Sequence, residues 1–376
     1  MPGAAIDLST ETALDLWKIS RDKHAWPHGN KLNILTTQHE FHVMNRWFGK
    51  DRAEFDGGPQ IDFEIVLDNL GTARHIQPNE VRTYAVSNSV KKIQVPWRIA
   101  NSYYVISDEE VMRNYKNGGF GQLFKLLDVR RATAGMDQAR LFESRAWLTP
   151  GSSADVTNPY GVPYWVVKVT AAQVTAATNG THVGQNPLYG DTSSMGSCGG
   201  IDSSLAANAL WRNYCDTWDT SAATMTDTAV QRIIKMRYQT KFAGPMNVKE
   251  FFEGAYDDCQ YYTGLEVLLN MEQKARDSND SLGADLGKFS GQVVIRGNPV
   301  NRVDALDYAN DSTYPLYQID HSVFKPFCQS GEFMKEIGPG TDLAQPRTLV
   351  TNTDTTYNFL AYNRRRLGVM SYQAAG

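Results

Sequence analysis

The chain has 376 residues, 41% of them hydrophobic and 11% aromatic, so it can bury a large core and by length form two to three domains. Its 37 basic and 41 acidic side chains leave a formal net charge of −4, which argues against a protein whose whole surface binds nucleic acid. The N-terminal sequence does not have the pattern of a secretory signal, no apolar run is long enough to cross a bilayer, and four scattered cysteines predict buried thiols in a reducing cytoplasm.

The first fifty or so residues predict a short helix between irregular flanks. Thr37 and Glu40 have the spacing of a capping box, and Phe41, Met44 and Phe48 follow at helical spacing. Such a segment cannot bury itself well alone, so we expect it to lie against another surface. We also expect a chain that lacks residues 1–50 to fold but to form no stable assembly.

Residues 59–106 alternate between apolar and polar side chains and are interrupted by glycine and proline. This pattern predicts long β-strands in a hairpin arrangement. The strands carry few large apolar side chains for their length, and a two-stranded ribbon is marginally stable by itself. The ribbon therefore needs a partner surface.

The strongest predicted helix covers residues 119–148. A second capping box, Ser107 with Glu110, precedes it. Apolar residues then recur every seven positions, at Phe120, Leu127, Ala134, Leu141 and Leu148. At 1.5 Å per residue the helix is about 43 Å long, and its one-sided apolar stripe predicts that a sheet or another helix packs along one face.

The second half of the chain mixes further helices and strands. Residues 160–169 predict a buried strand, and residues 171–225 predict an irregular excursion rich in Gly, Ser, Thr and Ala. A helix around residues 225–242 is expected to turn Val230, Ile233, Ile234 and Tyr238 inward. Another helix follows, then two short strands around a Gly-Asn-Pro turn, and a strand-like C-terminal end. The absence of regular βαβ alternation favours an α+β fold class.

Motifs for catalysis or cofactor binding are weak. "GGFGQLF" lacks the third glycine of a dinucleotide loop, no G-x-S-x-G elbow occurs, and the histidine pairs His24/His28 and His39/His42 have no accompanying metal-site motif. Acidic neighbours would raise the pKa of the Cys259 thiol, the wrong direction for a nucleophile. We therefore predict no catalytic, cofactor-binding or metal-binding residues, and no enzyme activity.

Three consecutive arginines, Arg364, Arg365 and Arg366, lie between apolar runs near the C-terminus. If this segment is a strand, its alternation places Arg364 and Arg366 on one face and Arg365 on the other. A phosphate-binding surface would then use only some of them. We expect these charges at an interface or at the edge of the fold, and at most one of them in contact with nucleic acid.

The order of several sequence blocks resembles that of the major capsid proteins of tailed bacteriophages. The blocks are "ALWRNYCDTWDT", "AVQRIIKMRY", "YTGLEVLLNMEQKARDSNDSLGADLGKFSGQVVIRGNPVNRVDALD", "PLYQIDHSVFKPFCQSGEFMKEIGP" and "YNFLAYNRRRLGVMS". The resemblance covers most of the chain and is firmest from about residue 205 to the end. It implies a Hong Kong 97-type capsid fold.

The resemblance also implies a domain organisation. The expected parts are an N-terminal arm (1–55), an extended β-hairpin loop (56–106), a peripheral domain (107–250) with a spine helix (119–148) and an irregular insertion (171–225), an axial domain (251–314), and a return to the peripheral domain (315–376). In such proteins the arm and the loop reach neighbouring subunits, which would explain why neither segment can bury itself alone.

The function implied is that of a shell subunit that forms pentamers and hexamers of an icosahedral capsid around double-stranded DNA, located in the virion and assembled in the host cytoplasm. Expected partners are other copies of the chain, scaffolding, portal and decoration proteins, and packaged DNA held by weak non-specific contact, with no membrane. Candidate inter-subunit contacts are Lys91, Lys92, Arg130, Arg131, Arg364, Arg365 and Arg366. An encapsulin-like compartment and a cytoplasmic hydrolase remain alternatives.

Overall fold

The structure, a computed structural model, describes residues 41–67, 75–77, 90–110, 120–168, 180–190, 193–218, 224–242, 258–277, 293–342 and 345–372. The helices in these ranges are α1 (Phe120–Ala146), α2 (Val162–Trp165), α3 (Asp227–Thr240) and α4 (Leu265–Asp277), with a π-helical segment at Val43–Phe48 and 3-10 helices at Ala206–Trp211, Asp304–Leu306 and Arg364–Arg366. The strands are β1 (Ala53–Phe55), β2 (Gln60–Val66), β3 (Val90–Pro96), β4 (Arg98–Ser107), β5 (Thr181–Gly184), β6 (Leu188–Tyr189), β7 (Ser193–Ser194), β8 (Asn213–Thr217), β9 (Cys259–Thr263), β10 (Val294–Ile295), β11 (Asn298–Arg302), β12 (Leu316–Asp320), β13 (Phe324–Gln329), β14 (Lys335–Asp342), β15 (Gln345–Ala361) and β16 (Gly368–Ser371). This mixture of helices and strands confirms the predicted α+β class.

The chain divides into two compact units. Unit 1 comprises Met1–Phe41, Ile99–Phe142 and Cys328–Tyr357, and unit 2 comprises His42–Arg98, Glu143–Phe327 and Asn358–Gly376. Only the described residues of each unit are considered below.

Unit 1 combines most of α1 with β4, β14 and most of β15. β14 pairs antiparallel with β15, and β4 also pairs with β15. The apolar stripe of the helix meets the sheet as predicted, because Leu127 and Ala134 form a buried cluster with Tyr104 and Ile106 of β4. Further along the helix, the amide of Gln138 donates a hydrogen bond of 2.9 Å to the hydroxyl of Thr355.

The capping box before the long helix is confirmed. The backbone N–H of Ser107 donates to the carboxylate of Glu110 at 3.4 Å, and the N–H of Glu110 donates to the Ser107 hydroxyl at 3.3 Å. The capping box predicted at Thr37 and Glu40 lies outside the described residues, as do His24, His28 and His39.

Unit 2 contains a seven-stranded mixed sheet in the order β10-β11-β9-β12-β16-β8-β5. Alternate side chains of a strand point to opposite faces, so each strand contributes to two packing layers. On one face, Tyr261 and Leu316 pack in a cluster with Ile233 of α3 and Met271 of α4. On the other face, Tyr262 and Tyr317 contact the ring of Trp147. The sheet is therefore buried on both sides.

Several local predictions need correction. Residues 162–165 form a single helical turn with Pro163 in its first turn, not a strand, although the segment is buried as predicted. Tyr238 is exposed, because α3 turns Ala229, Ile233 and Met236 inward instead. The hairpin between β10 and β11 turns at positive-φ Arg296 and Gly297, so Asn298 and Pro299 belong to the strand that follows.

The helices α3 and α4 occur where they are predicted. Thr226 caps α3 by accepting a hydrogen bond of 3.1 Å from the N–H of Ala229. The long C-terminal strand-like region is also present as β15 and β16. All four cysteines are buried and free, as their spacing predicts.

The compact units and the predicted domains divide the chain differently. Residues expected in the insertion (171–225), the axial domain (251–314) and the C-terminal return (315–376) contribute strands to one sheet. Strand β16, for example, pairs parallel with β8 and antiparallel with β12. A sheet joins strands that are distant in sequence, which composition along the chain does not reveal. That the predicted domains are the regions the chain uses in assembly stays a prediction.

Candidate inter-subunit contacts

The two faces of the ribbon of β2 and β3 differ in burial. Near the base, Ile61, Ile93 and Val95 on one face are fully buried, whereas the cross-strand pair Val66 and Val90 on the opposite face at the far end is 71% and 43% exposed. The base is held by a hydrogen bond of 3.0 Å from the N–H of Gln94 to the carbonyl of Gly199. This part of the ribbon has its partner surface within the chain.

Gly199 shows how closely the ribbon base is packed. Its φ of +61° favours glycine, and an added Cβ would lie 2.8 Å from Cγ2 of Ile93. Any side chain here would push the ribbon away.

The two candidate lysines of the ribbon lie on opposite faces. Lys91 pairs with Ile65 across the ribbon, on the same face as Ile93, while Lys92 pairs with Glu64 on the other face. The ammonium of Lys92 forms an ion pair of 2.7 Å with Asp62 and lowers the pKa of that carboxyl. Both lysines are exposed, and their contact with a neighbouring subunit stays a prediction.

The candidate arginines of α1 form ion pairs inside unit 1. Arg130 binds both carboxylate oxygens of Glu110, at 2.8 and 2.5 Å, and also donates to the carbonyl of Val105. The hydrogen bonds from Arg130 are the main cause that lowers the pKa of Glu110. Arg131 donates to Glu336 of β14 at 2.5 Å. These bonds link helix to sheet; a further contact with another subunit stays a prediction.

Arg364 is fully buried, which corrects its predicted role at an interface. Its guanidinium donates to the carbonyls of Trp165 (2.8 Å), Trp211 (2.9 Å) and Gln185 (2.8 Å) and to the side-chain oxygen of Asn213 (3.0 Å). These acceptors come from the ends of α2 and of the 3-10 helix Ala206–Trp211, from the loop after β5, and from β8. The side chain thus ties distant segments together and is inaccessible to another subunit.

Arg366 is also committed within the chain. It is 5% exposed and forms an ion pair of 2.6 Å with Asp320, itself 2% exposed. A buried charge needs such a partner, since an unpaired one would be strongly destabilising. The predicted role at an interface is therefore replaced by an internal one.

Arg365 differs from its two neighbours. Its guanidinium lies 4.8 Å from the centre of the Phe242 ring, and its backbone carbonyl is 3.2 Å from Nε2 of His182. The triplet forms a 3-10 turn, in which successive side chains are about 120° apart, instead of a strand. Three neighbouring arginines consequently point in three directions.

Residues 43–48, which lie inside the predicted N-terminal arm, anchor the chain in a core, and the sequence patterns did not predict this. Trp47, in the π-helical segment, is fully buried, and its ring lies 5.3 to 5.8 Å from the rings of Trp147, Tyr262, His321, Phe324 and Phe359. Buried Glu143 accepts a hydrogen bond of 2.8 Å from the N–H of Val43. Residues 43–48 therefore belong to the core of unit 2, although the predicted arm extends to residue 55.

The packing of Trp47 weighs against the expectation that a chain without residues 1–50 folds, because that deletion removes a fully buried side chain. The high aromatic content of the segment was the available signal. Helical spacing predicted that Phe41, Met44 and Phe48 form the apolar face of a helix. It did not include Trp47 in that face.

A buried polar network lies beside Trp47. His321 is 2% exposed; its ring nitrogens lie 2.8 Å from the hydroxyl of Tyr262 and 3.4 Å from the carboxylate of Asp51. Burial and the nearby charges of Arg46 and Lys50 hold the pKa of His321 well below its ordinary value. Burial raises the pKa of Asp51. The network thus favours a neutral imidazole in the folded chain.

No catalytic arrangement is apparent in the part of the chain that the structure describes. There, no group of three or more His, Cys, Asp and Glu side chains is placed to hold a metal ion. Burial raises the pKa of the Cys198 thiol to about 11 and that of Cys215 to about 12, so both are poor nucleophiles. None of the described helices combines the length and apolar content needed to span a membrane.

Comparison with known proteins gives structural likeness without sequence likeness. No protein-family model and no curated protein sequence matches the chain. Among solved structures, it is similar to the cyanophage A-1(L) capsid asymmetric unit, with a TM-score of 0.58 and 12% identity over 92% of this chain and 97% of that chain. It is also similar to the capsid of the native GTA particle (TM-score 0.53, 10% identity, 92% and 95% of the two chains) and to the capsid of Myoviridae phage XM1 (TM-score 0.50, 9% identity, 92% and 96%).

These likenesses concern the fold. The chain has the fold of these capsid subunits over nearly its whole length, as the resemblance to Hong Kong 97-type capsid proteins predicts.

Proposed function

We propose that the chain is the major capsid protein of a tailed bacteriophage, a structural subunit that forms pentamers and hexamers of an icosahedral shell around double-stranded DNA. The observation that carries the proposal is the length of the match: the shared fold covers 92% of this chain and 97% of the cyanophage A-1(L) capsid chain. A match that covers 92% of one chain and 97% of the other supports a shared role better than one restricted to a common core.

The ribbon supports a role in joining subunits. Val66 and Val90 at its far end are exposed apolar side chains on the face opposite the one on which Ile61 and Ile93 are buried within the chain. In an assembled shell, the far end would overlie a neighbouring subunit and hide these side chains from water. Contacts that use different patches on the two partners can close into rings, which is the geometry of pentamers and hexamers.

The partners that follow from this role are other copies of the chain, scaffolding, portal and decoration proteins, and packaged DNA. The site of action is the virion, after assembly in the host cytoplasm. The role is structural, and the extended loop, peripheral domain and axial domain keep the boundaries predicted above as proposed assembly regions. The proposed N-terminal arm ends before Val43–Phe48, because that segment is buried in the core of unit 2.

Negative-stain microscopy of the purified full-length protein tests the proposal. We expect closed particles tens of nanometres across, which elute in the void volume of a size-exclusion column. A stable monomer at every protein concentration and salt concentration tried, with and without co-expressed scaffolding protein, would contradict a shell role.

A variant of the ribbon tests the proposed contact. Val66→Glu combined with Val90→Glu places charges where burial is expected only in the shell. It should leave the unfolding midpoint of the subunit unchanged and reduce the yield of particles at least tenfold. The matched control is Lys335→Glu with Arg347→Glu at exposed positions of unit 1; equal yields from both variants would argue against a ribbon contact.

A further inference from the structure

An apolar cavity of about 330 Å³ lies between α3, α4 and β10 of unit 2. Its walls include Val230 and Ile234 of α3, Met271 and Ala275 of α4, and Ile295 of β10. A dry cavity of about 150 Å³ already holds a benzene ring. This α3–α4 cavity therefore has room for an aromatic side chain from another molecule.

The rim of the cavity carries a cation that has no ion pair. Lys274 and Asp227, which also line the cavity, pair with each other at 2.9 Å. Arg296 is exposed, and its guanidinium lies 5.4 Å from the centre of the Tyr238 ring. In the part of the chain that the structure describes, no carboxylate pairs with Arg296. A guanidinium that stacks on a ring keeps the N–H groups at its edge free to bind a carboxylate.

An exposed aromatic side chain is fixed on the loop that follows β11. Tyr308 is 50% exposed, and its ring stacks on that of Tyr314 with 4.9 Å between the ring centres. The carbonyl of Tyr314 accepts a hydrogen bond of 2.7 Å from Nε1 of Trp218, and its φ is +48°, which few residues other than glycine adopt. The N–H of Tyr308 donates to the carboxylate of Glu266 at 3.2 Å. We call the exposed ring of Tyr308 the tyrosine knob.

The surroundings of the tyrosine knob are acidic. Two basic side chains pair with three acidic ones there, Arg302 with Asp304 and Asp307, and Lys168 with Asp311. Glu266, in the first turn of α4, has no ion pair among the described residues. The knob thus presents a carboxylate beside an aromatic ring, and the cavity presents a guanidinium beside apolar walls. The two surfaces are complementary in charge and in apolar character.

The knob and the cavity of one chain lie too far apart to meet. The loop of the knob lies at the start of α4, because the N–H of Leu265 donates to the carboxylate of Asp307 at 2.7 Å. The cavity is lined by Met271 and Ala275, six and ten residues further along the same helix. At 1.5 Å per residue this separation is roughly 9–15 Å, which is longer than a tyrosine side chain. A second copy of the chain can bring a knob to the cavity.

We infer that the tyrosine knob of one copy of the chain inserts into the α3–α4 cavity of the next copy, where Glu266 of the first copy faces Arg296 of the second. The inference rests on the proposed function and deepens it, because it names two surfaces that join subunits within a ring. The contact uses different patches on the two partners, and such a contact can repeat around a rotation axis until the ring closes. It is separate from the contact proposed for Val66 and Val90 of the ribbon.

Exchange of the two charges tests the contact in the full-length protein. Glu266→Arg and Arg296→Glu each place like charges opposite each other, so each should lower the yield of rings and particles by about tenfold in sedimentation velocity. The double variant Glu266→Arg/Arg296→Glu restores an opposite pair and should recover the yield to within about twofold of the unmodified chain. Tyr308→Ala removes the ring and should lower the yield by about tenfold as well.

The matched control is Glu266→Arg/Arg347→Glu. It has the same net charge as the double variant, but its new acidic side chain lies at an exposed position of unit 1. The control should stay as impaired as Glu266→Arg alone. Recovery restricted to the Arg296→Glu combination excludes a folding defect and a general effect of net charge.

The contrary results separate the inference from the proposed function. Shells that form normally in the single variants would overturn the inference and leave the proposed function standing. Loss in the single variants without recovery in the double variant would assign the cavity to a different partner and would also overturn the inference. If the unmodified chain forms only small rings, and Tyr308→Ala abolishes them, the contact stands and the proposed shell fails.

Discussion

At the scale of single residues, three consecutive arginines have three different environments. Arg364 is fully buried among carbonyl oxygens, Arg366 is paired with buried Asp320, and Arg365 stacks on an exposed ring. Strand alternation predicts two environments, one for each face. The 3-10 turn produces three, because its side chains leave the backbone about 120° apart.

The first prediction concerns Arg364. Arg364→Lys keeps the charge but loses the planar fork, so several buried carbonyl oxygens lose their donor. We expect the free energy of unfolding, measured by urea denaturation, to fall by about 3 kcal/mol. Arg365→Lys is the matched control and should change it by less than about 1 kcal/mol. Equal effects of the two substitutions would show that Arg364 does not tie the surrounding segments together.

The second prediction concerns the pH dependence of stability. The pKa of His321 lies well below its ordinary value in the folded chain, mainly because of burial. Below about pH 6.5 the unfolded chain therefore binds a proton that the folded chain does not. The free energy of unfolding should fall as the pH decreases, by up to about 1.4 kcal/mol per pH unit for this one group.

The variant His321→Gln tests this assignment between pH 7 and pH 5. The slope of the free energy of unfolding against pH should decrease by the contribution of one histidine, whatever the variant does to stability at a single pH. His182, whose pKa is lowered to about 4, has the same sign, so His182→Gln serves as a comparison with an independent site. An unaltered slope in His321→Gln would mean that His321 can take up a proton while the chain stays folded.

At the scale of elements, the π-helical segment Val43–Phe48 connects N-terminal sequence to the core of unit 2. The N–H of Val43 donates to Glu143, and the Trp47 ring is surrounded by aromatic rings of the same unit. The Nε1 of Trp47 also donates to the hydroxyl of Tyr262 at 3.2 Å. The segment is thus part of the fold and not part of a free arm.

The third prediction follows from this anchor. Deletion of residues 1–50 should destabilise the subunit, and Trp47→Ala alone should lower the free energy of unfolding by about 3–5 kcal/mol, because it leaves a large cavity. A chain that begins at residue 41 retains the anchor and should unfold at nearly the denaturant concentration of the full chain. Similar midpoints for the chains beginning at residues 41 and 51 would contradict the anchoring role.

Elements that depend on short-range pattern were well predicted. The seven-residue apolar repeat located α1 to within two residues at each end, and the reciprocal bonds of Ser107 and Glu110 are those of a capping box. Errors occurred where burial does not distinguish conformations. The run of residues 162–167 is buried, and burial alone fits a short helix as well as a strand.

At the scale of the whole molecule, the fold is recognisable although sequence identity to the capsid chains of similar fold is 12% or less. Each unit satisfies its own core: α1 packs on β4 in unit 1, and α3 and α4 cover the mixed sheet of unit 2. Among the described residues, apolar side chains that lie outside these cores include Val66 and Val90 at the far end of the ribbon. We propose that a shell would use this surface.

The sequence by itself determined the α+β class, the long helix, the ribbon strands, the buried thiols and, through the order of its blocks, the resemblance to a capsid fold. Each of these depends on neighbours in sequence or on composition. Only the tertiary structure decided that Arg364 and Arg366 are internal and that Trp47 is a core residue. Those facts depend on contacts between residues tens to hundreds of positions apart, and such contacts are set by how strands pair and helices pack.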